Sequence, residues 1–141
     1  RGILLNSRGP TVVEKNTFHT AGAAILFEGD ARFWYEQAGV SDCVIRDNVF
    51  DNCNYGVWGR ALIECGAGIE PAFRAASRYN KNIRITGNTI RAFHPALLDF
   101  YSVQGLTFTN NVIEKTAAYP QWKADAPRYV TADCDGVELQ P

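Results

Sequence analysis

Polar and apolar positions alternate in four short stretches of this chain, and each alternation closes on an asparagine. The stretches are Thr11-Val12-Val13-Glu14-Lys15-Asn16-Thr17-Phe18, Cys43 to Phe50 around Asn48, Ile83 to Ile90 around Asn88, and Leu106 to Ile113 around Asn111. Their shared form is apolar-x-apolar-x-x-Asn-x-apolar, with Thr11 the one polar exception. Period two marks a strand with one buried face, so Val13, Ile45, Ile85 and Phe108 are expected to stack in a row. Asparagine tolerates left-handed backbone and its amide can bond neighbouring peptide groups, which suits a tight bend between two strands. Stacked unit on unit, Asn16, Asn48, Asn88 and Asn111 would form an internal amide ladder.

A unit that recurs at a fixed offset predicts a solenoid, in which each repeat buries its apolar face only against its neighbours. Eight residues after each of the first three asparagines stands a small residue followed by apolar ones: Ala24-Ile25-Leu26, Gly56-Val57-Trp58 and Ala96-Leu97-Leu98. The expected fold is all-β, a right-handed parallel β-helix of about four coils, with residues 1–141 one segment of it. The asparagines lie 32, 40 and 23 residues apart, so the first two coils carry about 9 and 17 residues more than the third. That extra length is expected at a single corner, after Phe27 and after Gly59, which places both insertions on one flank. A short helix fits somewhere within 70–79. Beyond Ile113 the pattern lapses through Ala117, Pro120, Trp122 and Pro127, so 114–141 reads as an irregular end in which only Gly136-Val137-Glu138-Leu139 hints at a strand. Arg1 opens the chain, no Met occurs, and Ile3-Leu4-Leu5 reads as a strand already under way, which points to a fragment of something longer.

Composition narrows the function classes. With 46% hydrophobic residues and 12% aromatics a core is affordable, and 14 basic against 15 acidic residues leave no basic stripe for nucleic acid. The longest apolar run, Ala21 to Phe27, is far too short for a membrane-spanning helix. Cys43, Cys53, Cys65 and Cys134 form no C-x-x-C pair and have no histidine at zinc spacing, so they read as buried thiols, with one disulfide the alternative and no metal site. His19 and His94 occupy different places in the repeat, and no G-x-S-x-G or P-loop motif is present.

The chemistry concentrates in the first insertion. Glu28-Gly29-Asp30-Ala31-Arg32-Phe33-Trp34-Tyr35-Glu36 sets three carboxylates and three aromatics within nine residues. Flat rings suit the C–H faces of a sugar, and carboxylates can bond its hydroxyls or exchange protons with a glycosidic oxygen. A loop whose rings pack on the solenoid while its acids stay in water is the bland alternative. Alignment on the asparagines puts Glu28, Arg60 and Phe100 in one column and so expects a Glu28–Arg60 ion pair at the corner. Asp99, at a strand end, and Glu64, in the second insertion, are further acids for the same groove.

The run Phe18-His19-Thr20-Ala21-Gly22-Ala23-Ala24-Ile25-Leu26-Phe27-Glu28-Gly29-Asp30-Ala31, followed by Trp34-Tyr35-Glu36 and Gly39, resembles the α-galactosidases of glycoside hydrolase family 110. The resemblance continues through Val44 to Asn48 and Asn82 to Ile85. It implies exo-hydrolysis of terminal α-linked galactose with inversion, by two carboxylates and without metal or organic cofactor, in a periplasmic or secreted enzyme several times longer than this chain. Asp30 and Glu36 are then the leading catalytic candidates, Glu28 the next, and Trp34 a sugar platform, with Arg60, Glu64 and Asp99 as substrate-binding candidates. The partner implied is carbohydrate, with self-association through the exposed solenoid ends a further expectation. Two other readings stay open: a non-catalytic β-helix module that binds glycan or builds a cell-surface scaffold, and a polygalacturonase or lyase on the same fold. Near-neutral charge and an acidic insertion disfavour the last, which needs a basic groove.

Overall fold

A computed structural model describes residues 1–30, 35 and 39–140, with the side chains of Asp30 and Ala67 left aside. Its strands are β1 (Ile3–Leu5), β2 (Thr11–Glu14), β3 (Thr17–Phe18), β4 (Ile25–Asp30), β5 (Ser41–Arg46), β6 (Val49–Asp51) and β7 (Ile63–Gly68). After helix α1 (Pro71–Ser77) come β8 (Asn80–Thr86), β9 (Thr89–Ala92), β10 (Leu98–Tyr101), β11 (Val103–Thr109), β12 (Val112–Lys115), β13 (Tyr129–Ala132) and β14 (Asp135–Leu139). Every third strand returns to the same sheet. Sheet A runs β1-β4-β7-β10-β13, sheet B β14-β11-β8-β5-β2 and sheet C β12-β9-β6-β3, and every pairing is parallel. Sheets B, C and A in turn make four complete coils, as the repeat predicts.

Period two decides which side chains point inward. Val13, Ile45, Ile85 and Phe108 are in register on sheet B and all are buried, with Leu139 continuing the row. Sheet C contributes Phe18, Phe50 and Ile90, the two phenyl rings stacked at 5.2 Å. Sheet A contributes Ile25, Ile63 and Leu98, then Phe27, Cys65 and Phe100. Between Phe27 and Phe100 the small side chain of Cys65 leaves room for the two rings to approach to 5.5 Å. Apolar burial of this kind is worth roughly 25 cal/mol per Å², and in a solenoid it is shared coil by coil.

The amide ladder is present along the B–C corner. Asn16 Nδ2 donates to Asn48 Oδ1 at 3.1 Å, Asn48 Nδ2 to Asn88 Oδ1 at 3.0 Å, and Asn88 Nδ2 to Asn111 Oδ1 at 2.9 Å. The same three carboxamide oxygens also accept the backbone N–H of the preceding asparagine at 3.0 Å. One detail differs from the sequence reading. The left-handed residue of each bend stands immediately before the ladder, at Lys15, Asp47, Gly87 and Asn110, with φ from 55° to 67°. That turn swings the asparagine side chain inward, where Asn48, Asn88 and Asn111 are buried.

Three expectations are corrected. Residues 114–141 are not an irregular end, because β13 and β14 extend sheets A and B; the irregular part is 116–128. Gly56-Val57-Trp58 is not the start of a strand. Asn54 Nδ2 donates to Gly59 O at 2.8 Å and Gly59 N to Asn54 Oδ1 at 2.9 Å, closing a loop that leaves Val57 and Trp58 exposed. The sheet A strand of this coil begins at Ile63 instead, so the second coil carries added length at the C–A corner as well as around α1. Helix α1 itself falls where a short helix was expected.

Among the described residues all four cysteines are free thiols, three of them buried. Burial pushes Cys43 and Cys65 up to about 12, so neither offers thiolate at neutral pH. Iodoacetamide at about pH 8 should therefore alkylate the half-exposed Cys134 first, and all four cysteines once the chain is unfolded. Peptide mass spectrometry reads this, and rapid native labelling of Cys43 would contradict the packing.

Candidate functional site

Side chains that alternate with the core row project from the outer face of sheet A. Leu26, Glu64, Asp99 and Val130 form one row in register across β4, β7, β10 and β13. Glu28 lies two residues further along β4, opposite Gly66, and Tyr101 lies two residues beyond Asp99 on β10. Gly66 leaves a gap in this second row, since an added Cβ there would meet only Leu26 Cδ1, at 3.7 Å. Neighbouring parallel strands are about 4.8 Å apart, so two carboxylates directly opposite each other repel unless a cation joins them.

Arg60 is that cation. Its Nε lies 3.1 Å from Asp99 Oδ2, and its Nη2 lies 3.7 Å from Glu64 Oε2. The backbone N–H of Arg60 also donates to Glu64 Oε2 at 2.8 Å, which ties the end of the 54–59 loop to β7. Glu64 and Asp99 are buried at 7% and 8% exposure, whereas about half of the Arg60 side chain stays open. Burial alone would pull the guanidinium down; the Glu64 and Asp99 charges outweigh it and hold Arg60 above its ordinary value. Asp99 Oδ1 accepts no hydrogen bond from the described protein groups. Arg60 lies 5.4 Å from the centre of the Tyr101 ring and Arg74, of α1, lies 4.8 Å from it. The Tyr101 phenol is pushed up, first by burial and then by the neighbouring Asp99 charge.

The sequence reading expected Arg60, Glu64 and Asp99 on one face, where they lie, and paired Glu28 with Arg60, which the structure does not. Arg60, Glu64 and Asp99 converge in one ion-paired cluster. Glu28 faces Gly66 rather than Arg60, and Phe100 points into the core, so the column drawn through Glu28, Arg60 and Phe100 does not exist. The cause is the 54–59 loop, which displaces the sheet A register of the second coil. Asp30 is the last residue of β4, opposite Gly68, while Trp34 and Glu36 lie outside the described residues. Tyr101 and Arg74 were not singled out; Tyr101 could have been found by counting two positions on from Asp99.

A carboxylate joined to arginine is an acceptor for hydroxyl hydrogens. Arg60 in turn offers further N–H groups to a polar ligand. The cluster is thus suited to holding a polyhydroxylated molecule, and the nearby Glu28 adds an acidic group further along β4. Among the described residues no three His, Cys, Asp or Glu side chains are grouped to hold a metal, and no helix is long and apolar enough to cross a membrane.

Residues 1–120 match the family model described as the right handed beta helix region, and the chain belongs to that family. The chain is 37% identical over 123 residues to alpha-1,3-galactosidase B of Bacteroides thetaiotaomicron, covering 84% of this chain and 20% of that protein. It is 37% identical over 133 residues to alpha-1,3-galactosidase A of Shewanella woodyi, 92% of this chain and 21% of that protein. Alpha-1,3-galactosidase A of Bacteroides fragilis is 39% identical over 125 residues, 85% of this chain and 20% of that protein. The chain spans about a fifth of the length of these curated relatives. Their names agree with the family 110 resemblance carried by the Phe18 to Gly39 segment.

Proposed function

We propose that this chain is part of a glycoside hydrolase that releases terminal α-linked galactose, acting from the chain end and with inversion at the anomeric carbon. The observation that carries the reading is the outer face of sheet A, where Arg60 joins two buried carboxylates beside the strand that leads into the Asp30-to-Glu36 segment. The names of the relatives support galactose and an α-1,3 linkage as the substrate class. In this reading Glu64, Asp99 and Arg60 hold sugar hydroxyls, Trp34 stacks on the ring, and the proton-exchanging carboxyls come from Asp30, Glu36 and Glu28. Inversion asks for two carboxyls about 6.5 to 9.5 Å apart, which leaves room for the attacking water. A periplasmic or secreted location, where glycans are met outside the cytoplasm, completes the proposal.

The test is hydrolysis of an α-1,3-linked digalactoside by the full-length protein, followed by proton NMR. β-Galactose as the first product is the expected result. α-Galactose as first product would replace inversion by retention, and no galactose at all would remove the hydrolase reading.

A further inference from the structure

The irregular 116–128 segment does not hang free of the solenoid. From the end of β12 it turns back along the C–A corner, against coils made much earlier in the chain. The Tyr119 ring stacks on Tyr55 at 4.9 Å and its hydroxyl lies 3.4 Å from His19 Nε2. Gln121 Nε2 donates to Phe93 O at 2.9 Å, and the Trp122 indole stacks on His94 at 3.9 Å and 10°. These contacts hold Trp122 beside the Arg60–Asp99 pair. Between them lies a cleft of about 290 Å³, lined by Arg60 and Asp99 on one side, by Trp122 and Lys123 on another, and by Pro127 and Val130 on the fourth coil. Trp122 lines this cleft and His94 does not, so the imidazole backs the indole rather than competing for the space.

The cleft combines features that a sugar ring needs. It has an aromatic surface fixed in place by stacking, apolar walls for C–H groups, and at one edge the Arg60–Asp99 pair, whose guanidinium side chain stays about half open. It also continues the acidic face. Glu28, Glu64, Asp99 and Val130 stand on four successive strands of sheet A, so the rows run along the solenoid from the carboxylate-rich first coil to the cleft on the fourth. Arg60 and Asp99 stand midway along that path and also line the cleft.

We propose that this cleft is the subsite for the sugar on the reducing side of the scissile bond, with Trp122 its platform. The proposal rests on the galactosidase reading and assigns the 116–128 segment, which carries no catalytic candidate, to selection of the second sugar. An enzyme that spends binding energy on that second ring should distinguish substrates that have it from substrates that lack it.

The experiment compares full-length wild type, Trp122→Ala and Trp122→Phe on an α-1,3-linked digalactoside and on α-galactosyl fluoride, which has no second ring. For Trp122→Ala, kcat/KM on the digalactoside is expected to fall about tenfold further than on the fluoride, mostly through KM, with Trp122→Phe restoring much of the difference. An equal fall on both substrates would show a structural role only, and no fall on either would show that the second sugar lies elsewhere; both outcomes overturn the proposal. Tryptophan fluorescence titration with the digalactoside separates this from failure of the galactosidase reading. A signal that vanishes in Trp122→Phe, in a protein that cleaves neither substrate, would keep the sugar cleft and discard the hydrolase; no signal and no cleavage would discard both.

Discussion

Asp30→Asn and Glu36→Gln should each lower kcat on a terminal α-galactoside by about 10² to 10⁴ while leaving thermal unfolding nearly unchanged. An amide keeps the shape of the carboxyl it replaces but can neither take up nor release the proton that inversion requires. These two acids are the leading candidates from the sequence, and Glu64 and Asp99 carry other contacts. Glu64 and Asp99, both buried, are each engaged with Arg60. They are better placed to hold hydroxyls, and Glu64→Gln should act more on KM than on kcat. Glu28 faces the side-chain gap at Gly66 and is the next acid to replace. Steady-state kinetics with the full-length protein, beside a melting curve for each variant, reads the prediction. Full activity in both amide variants would place the proton exchange on other carboxyls.

How much of this was legible beforehand follows from which interactions are local. The buried rows and the ladder could be read directly, because inward-facing positions and bend asparagines keep fixed offsets within each repeat. Val13, Ile45, Ile85 and Phe108 are in register for that reason. The register of sheet A could not be read so, because the loop closed by Asn54 and Gly59 lies between the ladder and β7 and shifts everything after it. Pairing Glu28 with Arg60 was the cost of assuming a constant offset. The Arg60–Asp99 contact spans 39 residues and depends on β7 pairing with β10, which no local pattern announces. The 116–128 segment is harder still. Its placement rests on ring contacts and single hydrogen bonds, one of them linking residues 100 positions apart, and these leave no periodicity in the sequence. Trp122 and Lys123, which close the cleft, were therefore out of reach, whereas Arg60, Asp99 and the rows that build the solenoid were not.

Replacing Asn88 with Ala should cost about 3 to 5 kcal/mol of unfolding free energy, far more than the same change at Asn16. Asn88 is 1% exposed and its amide donates to Asn111 Oδ1 at 2.9 Å and to Ile45 O at 3.0 Å. Its oxygen accepts both the backbone N–H and the side-chain N–H of Asn48, each at 3.0 Å. Alanine leaves the Asn48 backbone N–H without its acceptor and removes one bond each from Asn48 Nδ2, Asn111 Oδ1 and Ile45 O, and each buried group so affected costs up to about 1 to 3 kcal/mol with incomplete additivity. Asn16 is the exposed end rung, and solvent can replace what it loses, so about 1 kcal/mol is expected there. Asn88→Asp adds a test of sign. Aspartate keeps the oxygen that Asn48 needs, but as a carboxylate it sets negative charge against the Asn111 and Ile45 oxygens that formerly accepted hydrogen bonds. Its folded-state pKa should therefore lie above the unfolded value of about 3.9, so this variant should lose stability as pH rises from about 4 to 7 and regain part of it on acidification. Urea unfolding of the two Ala variants, and of Asn88→Asp at both pH values, measures each term. A ladder that merely decorates a self-sufficient core would show Asn88→Ala within about 0.5 kcal/mol of wild type, the range of ordinary surface substitutions.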